Sequence, residues 1–162
     1  MAHKLPDTVS SGEDLMSLII EIRSYAKWYS QYSNAARVQI AYTEQQPPLS
    51  PEALEVLKAY GESDALSSDK IDALIEELEH TRTHAKLMTI TLAAPATNEV
   101  KKTLVTWARV NIAPDILISF RFNSTLLGGM VVRFGSRIFD WSFRRTILNE
   151  RYRVGEVLKH VG

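Results

Sequence analysis

The 162-residue sequence has no cysteine. That excludes a disulfide scaffold, thiol catalysis and every Cys-ligated metal site, and it fits a reducing compartment. No apolar run approaches the roughly 20 residues that span a bilayer. No apolar core of signal-peptide type precedes Ser10, so a soluble, cytosolic chain is expected. Histidine is scarce, and only His80 and His84 are spaced to share a helical face. Two ligands without a third make no metal set. Neither form of Gly-rich phosphate loop is present, nor a His-Glu-x-x-His. Gly128-Gly129 lacks a following Lys-Ser/Thr and runs into a strand pattern. Ser142 has no nucleophile-elbow context. The expectation is therefore a protein without catalytic residues, metal or cofactor.

An excess of one charge is missing too, since 19 Lys+Arg balance 19 Asp+Glu. The neutral sum conceals a division. Residues 1–85 hold 7 basic and 14 acidic side chains, whereas residues 86–162 hold 12 basic and 5 acidic ones. Two modules facing different partners would produce this division, and so would one half resting on the other. Zero total charge and the lack of an RNA-module motif argue against nucleic-acid binding, despite Arg133, Arg137, Arg144, Arg145, Arg151, Arg153 and Lys159.

The hydrophobic fraction is 45%, enough for one medium domain or two small ones with real cores. Residues 1–12 are polar, contain Pro6 and Gly12, and read as a flexible tail. From Glu13, Leu15, Leu18, Ile19, Ile22, Tyr25, Ala26, Tyr29 and Tyr32 recur at helical steps. The pattern fits one long helix, or two with a break near Ser33-Asn34. Ser50-Pro51 opens a second helix that Gly61 stops, with Ser50 as the cap. Ser68 opens a third, with Ile71, Leu74, Ile75 and Leu78 on its apolar face. Residues 13–85 thus predict an all-helical bundle.

The pattern changes at Lys86. Residues 87–93 read as a strand, and 97–110 as a helix with Val100, Leu104, Trp107 and Ala108 facing inward. Residues 116–122 read as a second strand. Two further strands flank Gly135-Ser136, a loop with glycine first that fits a type II′ hairpin. Asp140 is placed to cap a last helix from Trp141, packed on the sheet through Phe143, Ile147 and Leu148. The tail beyond Gly155 allows a short further helix. The fold class is α+β: an N-terminal helical bundle, then a small β-α-β-β-α module over residues 86–162.

Residues 126–145 resemble the C-terminal signature of the ATP synthase delta subunit and oligomycin-sensitivity-conferring protein family. Leu127-Gly128-Gly129 matches the family's turn, Arg133-x-Gly135 its strand end, and Asp140-x-Ser142 its Asp-Gly-Ser element. Trp141 stands in place of that glycine, and Asn123-Ser124 where an Asp-Pro or similar pair is frequent. Arg23-Ser24-Tyr25-Ala26 has the form of the Arg-x-Tyr-Ala motif that opens many members, but the N-terminal half is shorter than the family's six-helix domain.

The resemblance implies a non-catalytic stator subunit of the proton-translocating ATP synthase. It implies a helical domain gripping the N-terminal helices of the alpha subunits, with Leu18, Ile22, Tyr25 and Tyr29 as candidate groove residues divided between core and lining. It implies a C-terminal module engaging the b-subunit coiled coil, with Arg144, Arg145 and Arg151 as candidate contacts. The place implied is the cytoplasmic face of the membrane, peripheral and through the complex. A scaffold or adaptor unrelated to the synthase is the alternative, ahead of a small RNA-binding protein.

Overall fold

The computed structural model describes residues 5–61 and 67–150. The order is α1 (Gly12–Arg37), α2 (Pro51–Gly61), α3 (Ser68–His84), β1 (Leu87–Leu92), α4 (Asn98–Asn111), β2 (Leu117–Phe122), β3 (Gly129–Phe134) and β4 (Arg137–Ser142). Residues 143–150 are helical.

Local chemistry accounts for the helix starts. The Ser11 hydroxyl accepts from the Asp14 amide at 3.1 Å, and the Asp14 carboxylate accepts from the Ser11 amide at 2.9 Å. This reciprocal box satisfies amides that have no partner within the first turn. The Ser10 amide and hydroxyl donate to the same carboxylate. Burial pulls the Asp14 pKa up, but these bonds outweigh it and leave the pKa below its ordinary value. At α2 the Ser50 hydroxyl accepts from the Ala53 amide, as the Ser-Pro start predicts.

Of the two arrangements open for the first helix, the chain adopts the single long one. Its 26 residues span about 39 Å, against about 25 Å for α3. Leu15, Leu18, Ile19 and Ile22 are buried against Ala53, Val56 and Leu57 of α2 and Ile71, Leu74, Ile75 and Leu78 of α3. All its fully buried residues lie in the first half.

The sheet has strand order β2-β1-β3-β4, with β1 and β2 parallel and the other pairs antiparallel. Met88, Ile90, Ile118 and Val132 pack with Val105 and Ala108 of α4 in a second core. β2 serves both cores, because successive strand residues point to opposite faces. Leu117 enters the helical core, while Ile118 enters the second. The β3–β4 loop is Gly135-Ser136, with φ +58° at Gly135 and no positive φ at Ser136, which is the φ pattern of a type II′ turn.

Four expectations are corrected. Residues 5–11, expected as part of a loose tail, are packed: Leu5 and Val9 are buried in the helical core. On α4 the buried residues are Val105, Ala108 and Arg109, while Val100 and Trp107 are exposed. Ala108 is buried and Leu104 packs on the core as expected, but Arg109 also points inward and Val105 takes the central place. The last helix starts at 143, not at Trp141, because residues 137–142 complete β4 and Ser142 provides the cap. Its hydroxyl accepts from the Arg145 amide at 3.3 Å. Finally, Phe143, Ile147 and Leu148 are exposed instead of packed on the sheet. The expectations for the tail beyond Gly155 lie outside the described residues.

Candidate interaction surfaces

The first surface lies on the second half of α1. Leu18 and Ile22 are buried, so they belong to the core. Tyr25 and Tyr29 lie half-buried against it. Tyr25 meets Trp28 with ring centroids 5.7 Å apart and Tyr29 at 6.0 Å; Trp28 stacks on Tyr32 at 5.2 Å, and Tyr32 meets Tyr42 edge-on at 6.3 Å. The spacing 25, 28, 29, 32 is that of one helix face. The segment after α1 returns to hold the rings. The Trp28 indole N–H donates to the Glu44 carbonyl at 3.1 Å, and the Tyr42 hydroxyl reaches Gln31 Oε1 at 2.7 Å and Glu44 Oε2 at 2.8 Å. Val38 and Ile40 are exposed beside it. Trp28 falls beside the apolar stripe in the sequence, and Tyr42 lies beyond the helix, so periodicity alone identified neither. Arg23 pairs with Glu79 of α3. The Arg-x-Tyr-Ala segment thus ties α1 to α3 through its arginine and lays its Tyr and Ala against the core.

The second surface is β4 and the helical residues 143–150. The register places Phe139 opposite Val132 and Trp141 opposite Met130, on the face that α4 covers over β1 and β2. Phe139 and Trp141 stack at 5.8 Å and remain exposed, with Phe143, Ile147 and Leu148 beyond them. β4 is an edge strand.

The family-like residues set this geometry. Leu127 caps the short 3-10 turn Ser124–Leu126 at φ +61°. A Cβ on Gly129 would meet the Trp141 carbonyl oxygen, and one on Gly128 the Phe143 ring. The pair is glycine because β4 and the segment after it cross there. Asp140 holds the cap residue: its Oδ1 accepts from the Ser142 amide at 2.9 Å and hydroxyl at 2.6 Å. These bonds keep the Asp140 carboxyl below the usual carboxylate range, with Arg145 and Arg144 adding to the effect. Arg145 also donates to the Asp140 carbonyl at 3.1 Å. Arg133 and Gly135 are exposed at the end of the β3–β4 hairpin, and Arg144 and Arg145 are exposed on the following helix. Arg151 lies outside the described residues.

Among the described residues no group of three or more His, Cys, Asp or Glu side chains is placed to hold a metal ion. None of the described helices is long and apolar enough to cross a membrane. His80 and His84 stack at 4.0 Å, and His84 Nδ1 lies 2.9 Å from the His80 carbonyl oxygen.

The helical bundle and the small α/β module each have their own core and their own aromatic surface. Residues 29–151 match the family model described as ATP synthase delta (OSCP) subunit, and the chain belongs to that family. The ATP synthase subunit delta of Salinibacter ruber is 35% identical over 66 residues, which cover 40% of this chain and 35% of that protein. The Arg23–Ala26 segment lies outside the matched residues, so the family assignment does not depend on it.

Proposed function

We propose that the chain is the non-catalytic stator subunit that links the peripheral b-subunit stalk to the alpha/beta head of the ATP synthase, so that rotor torque does not turn the head. The observation that carries this reading is the pair of exposed aromatic surfaces on separately cored modules in a chain of this family. On the helical module, Tyr25 and Tyr29, joined by Trp28 and Tyr32, offer an apolar helix face to an amphipathic helix of the alpha subunit. Leu18 and Ile22 support that face from beneath. On the second module, Phe139 and Trp141 anchor the b-subunit end, and Arg144 and Arg145 supply a basic rim. Arg151 extends the same proposal beyond the described residues. The location that follows is the cytoplasmic face of the membrane, reached through the complex.

The test is size-exclusion chromatography with light scattering on the chain, the catalytic head and a soluble b-subunit segment. A ternary complex holding one copy of the chain is expected. Charge reversal at Arg144 and Arg145 should release the stalk segment and keep the head. A folded chain that binds neither partner would refute the stator role in favour of an unrelated adaptor.

A further inference from the structure

The two modules are joined covalently where α3 ends and β1 begins, at Ala85–Lys86. A single linker of this kind ordinarily permits hinge motion. Here there is a second attachment, made by residues 5–10. The side chains of Leu5 and Val9 belong to the helical core, yet their backbone is held by the other module. Arg109 of α4, only 7% exposed, donates through one terminal nitrogen to the carbonyls of Leu5 (2.8 Å) and Pro6 (2.9 Å) and to Asp7 Oδ1 (3.1 Å). Its other terminal nitrogen donates to the Val9 carbonyl at 2.7 Å. The Thr106 hydroxyl lies 2.9 Å from Asp7 Oδ2, and the Ile118 amide of β2 donates to the Ser10 carbonyl.

We propose that Arg109 is a positioning residue that fixes the two modules in one relative orientation by clamping this N-terminal strap to α4. A hydrophobic contact alone, such as that of Leu117, resists separation but tolerates sliding, because apolar attraction is non-directional. A planar guanidinium engaging acceptors on four strap residues, Leu5, Pro6, Asp7 and Val9, defines both distance and angle. Only its Nε lacks a partner. The location explains why a charge is buried at all: the strap forms no helix or strand, and although the Pro6 carbonyl also accepts from the Val9 amide, the carbonyls of Leu5 and Val9 take their bonds from Arg109. Stiffness between the modules is what a stator requires of a connector. The clamp itself does not depend on which partners the modules hold.

The chain has no cysteine, so Glu76→Cys on α3 and Ser136→Cys in the β3–β4 turn place two spin labels without background. Pulsed electron–electron resonance on the full chain then reads the distribution of distances between modules. A narrow distribution is expected with Arg109 intact. Arg109→Ala should widen it at least twofold while far-ultraviolet dichroism and amide exchange in α3 and the sheet stay native. Arg109→Lys should give an intermediate width, because an ammonium group lacks the planar fork. An unchanged width in Arg109→Ala would overturn the proposal. Should Arg109→Ala fail to fold, Arg109→Lys decides alone. A widened distribution with both modules folded supports the clamp. An unchanged width in the variant that folds shows that Arg109 serves local folding instead.

Discussion

Ile22 and Trp28 lie on the same helix six residues apart, one fully buried and the other partly exposed, and the proposed function gives them opposite duties. Ile22 is fully buried in the helical core. Ile22→Ala removes three buried carbons, about 2.4 kcal/mol at about 0.8 kcal/mol each. The cavity left between α1 and its neighbours raises the cost to about 3–4 kcal/mol, within the range for such truncations. Trp28 is half-exposed; its main contacts are the Tyr25 and Tyr32 rings and a bond to the Glu44 carbonyl. Each of the two ring pairs contributes about 0.5–1.5 kcal/mol and the hydrogen bond about 0.5 kcal/mol, so Trp28→Ala should cost about 2 kcal/mol. Urea unfolding followed by dichroism separates the two, with the slope watched for loss of two-state behaviour. The same variants are then titrated with the catalytic head. Trp28→Ala should weaken binding at least tenfold, and Ile22→Ala should bind normally once corrected for its folded fraction. The division of α1 into core and contact is refuted if Trp28→Ala destabilises as much as Ile22→Ala, or if Ile22→Ala costs under about 1 kcal/mol.

Gly129→Ala should destabilise the chain by more than about 1 kcal/mol, read as a shift in the urea midpoint, because φ is +75° and the new Cβ meets the Trp141 carbonyl. Trp141→Gly, which places the family's residue there, should cost about 1–2 kcal/mol through loss of the Phe139 stack and glycine within β4, and should in addition weaken the b-subunit complex in a calorimetric titration corrected for the folded fraction. The Asp140 carboxyl is held below its ordinary value chiefly by the Ser142 hydroxyl. A depressed carboxylate contributes stability that is present above its unfolded value and lost as pH falls through the folded one. The Asp140–Ser142 contribution is therefore expected to vanish only below about pH 4. Carboxyl carbon resonances should show Asp140 titrating below a peptide aspartate, and Ser142→Ala should move it back up.

The helical half was legible because its signals are local. Ser50 and Ser68 stand where helices start, and the stripes 15–18–19–22 and 71–74–75–78 are the ones buried, whereas the capping Ser11 lay inside what read as a loose tail. The Gly135 turn was legible for the same reason. The misreadings all concern long-range partners. Leu5 and Val9 are isolated apolar residues without a period, and only the core they enter reveals them. Arg109 looks polar until its acceptors, about 100 residues earlier in the chain, are known. With the arginine inside, the buried face of α4 centres on Val105, Ala108 and Arg109, which leaves Val100 and Trp107 outside while Leu104 still packs on the core. The cap moved from Asp140 to Ser142 because β3 extends to Gly129 and pairs it with Ser142, prolonging β4 by a register set elsewhere. On the surfaces, Tyr25 and Tyr29 were legible as a face of α1, but the contribution of Trp28 and Tyr42 depends on a loop that turns back.

The division of charge, acidic before residue 86 and basic after it, had two explanations, and the structure shows the internal one in part. Part of it is internal. Arg109 pairs with Asp7 across the boundary, and Glu52 of α2 and Asp7 line the same depression as Lys101 and Lys102 of α4. Opposite signs thus face each other where the strap, α2 and α4 meet. The other part faces outward. Arg144 and Arg145 are exposed beside Phe139 and Trp141, and Glu13 and Glu76 are exposed on α1 and α3. Exposed charges of this kind contribute little to holding a fold, and they do affect orientation and encounter with a partner. The inward charges pair across the modules, and under the proposed stator role the outward ones would distinguish one module's partner from the other's. A connector needs both properties, because a rigid body with interchangeable ends could be assembled the wrong way round.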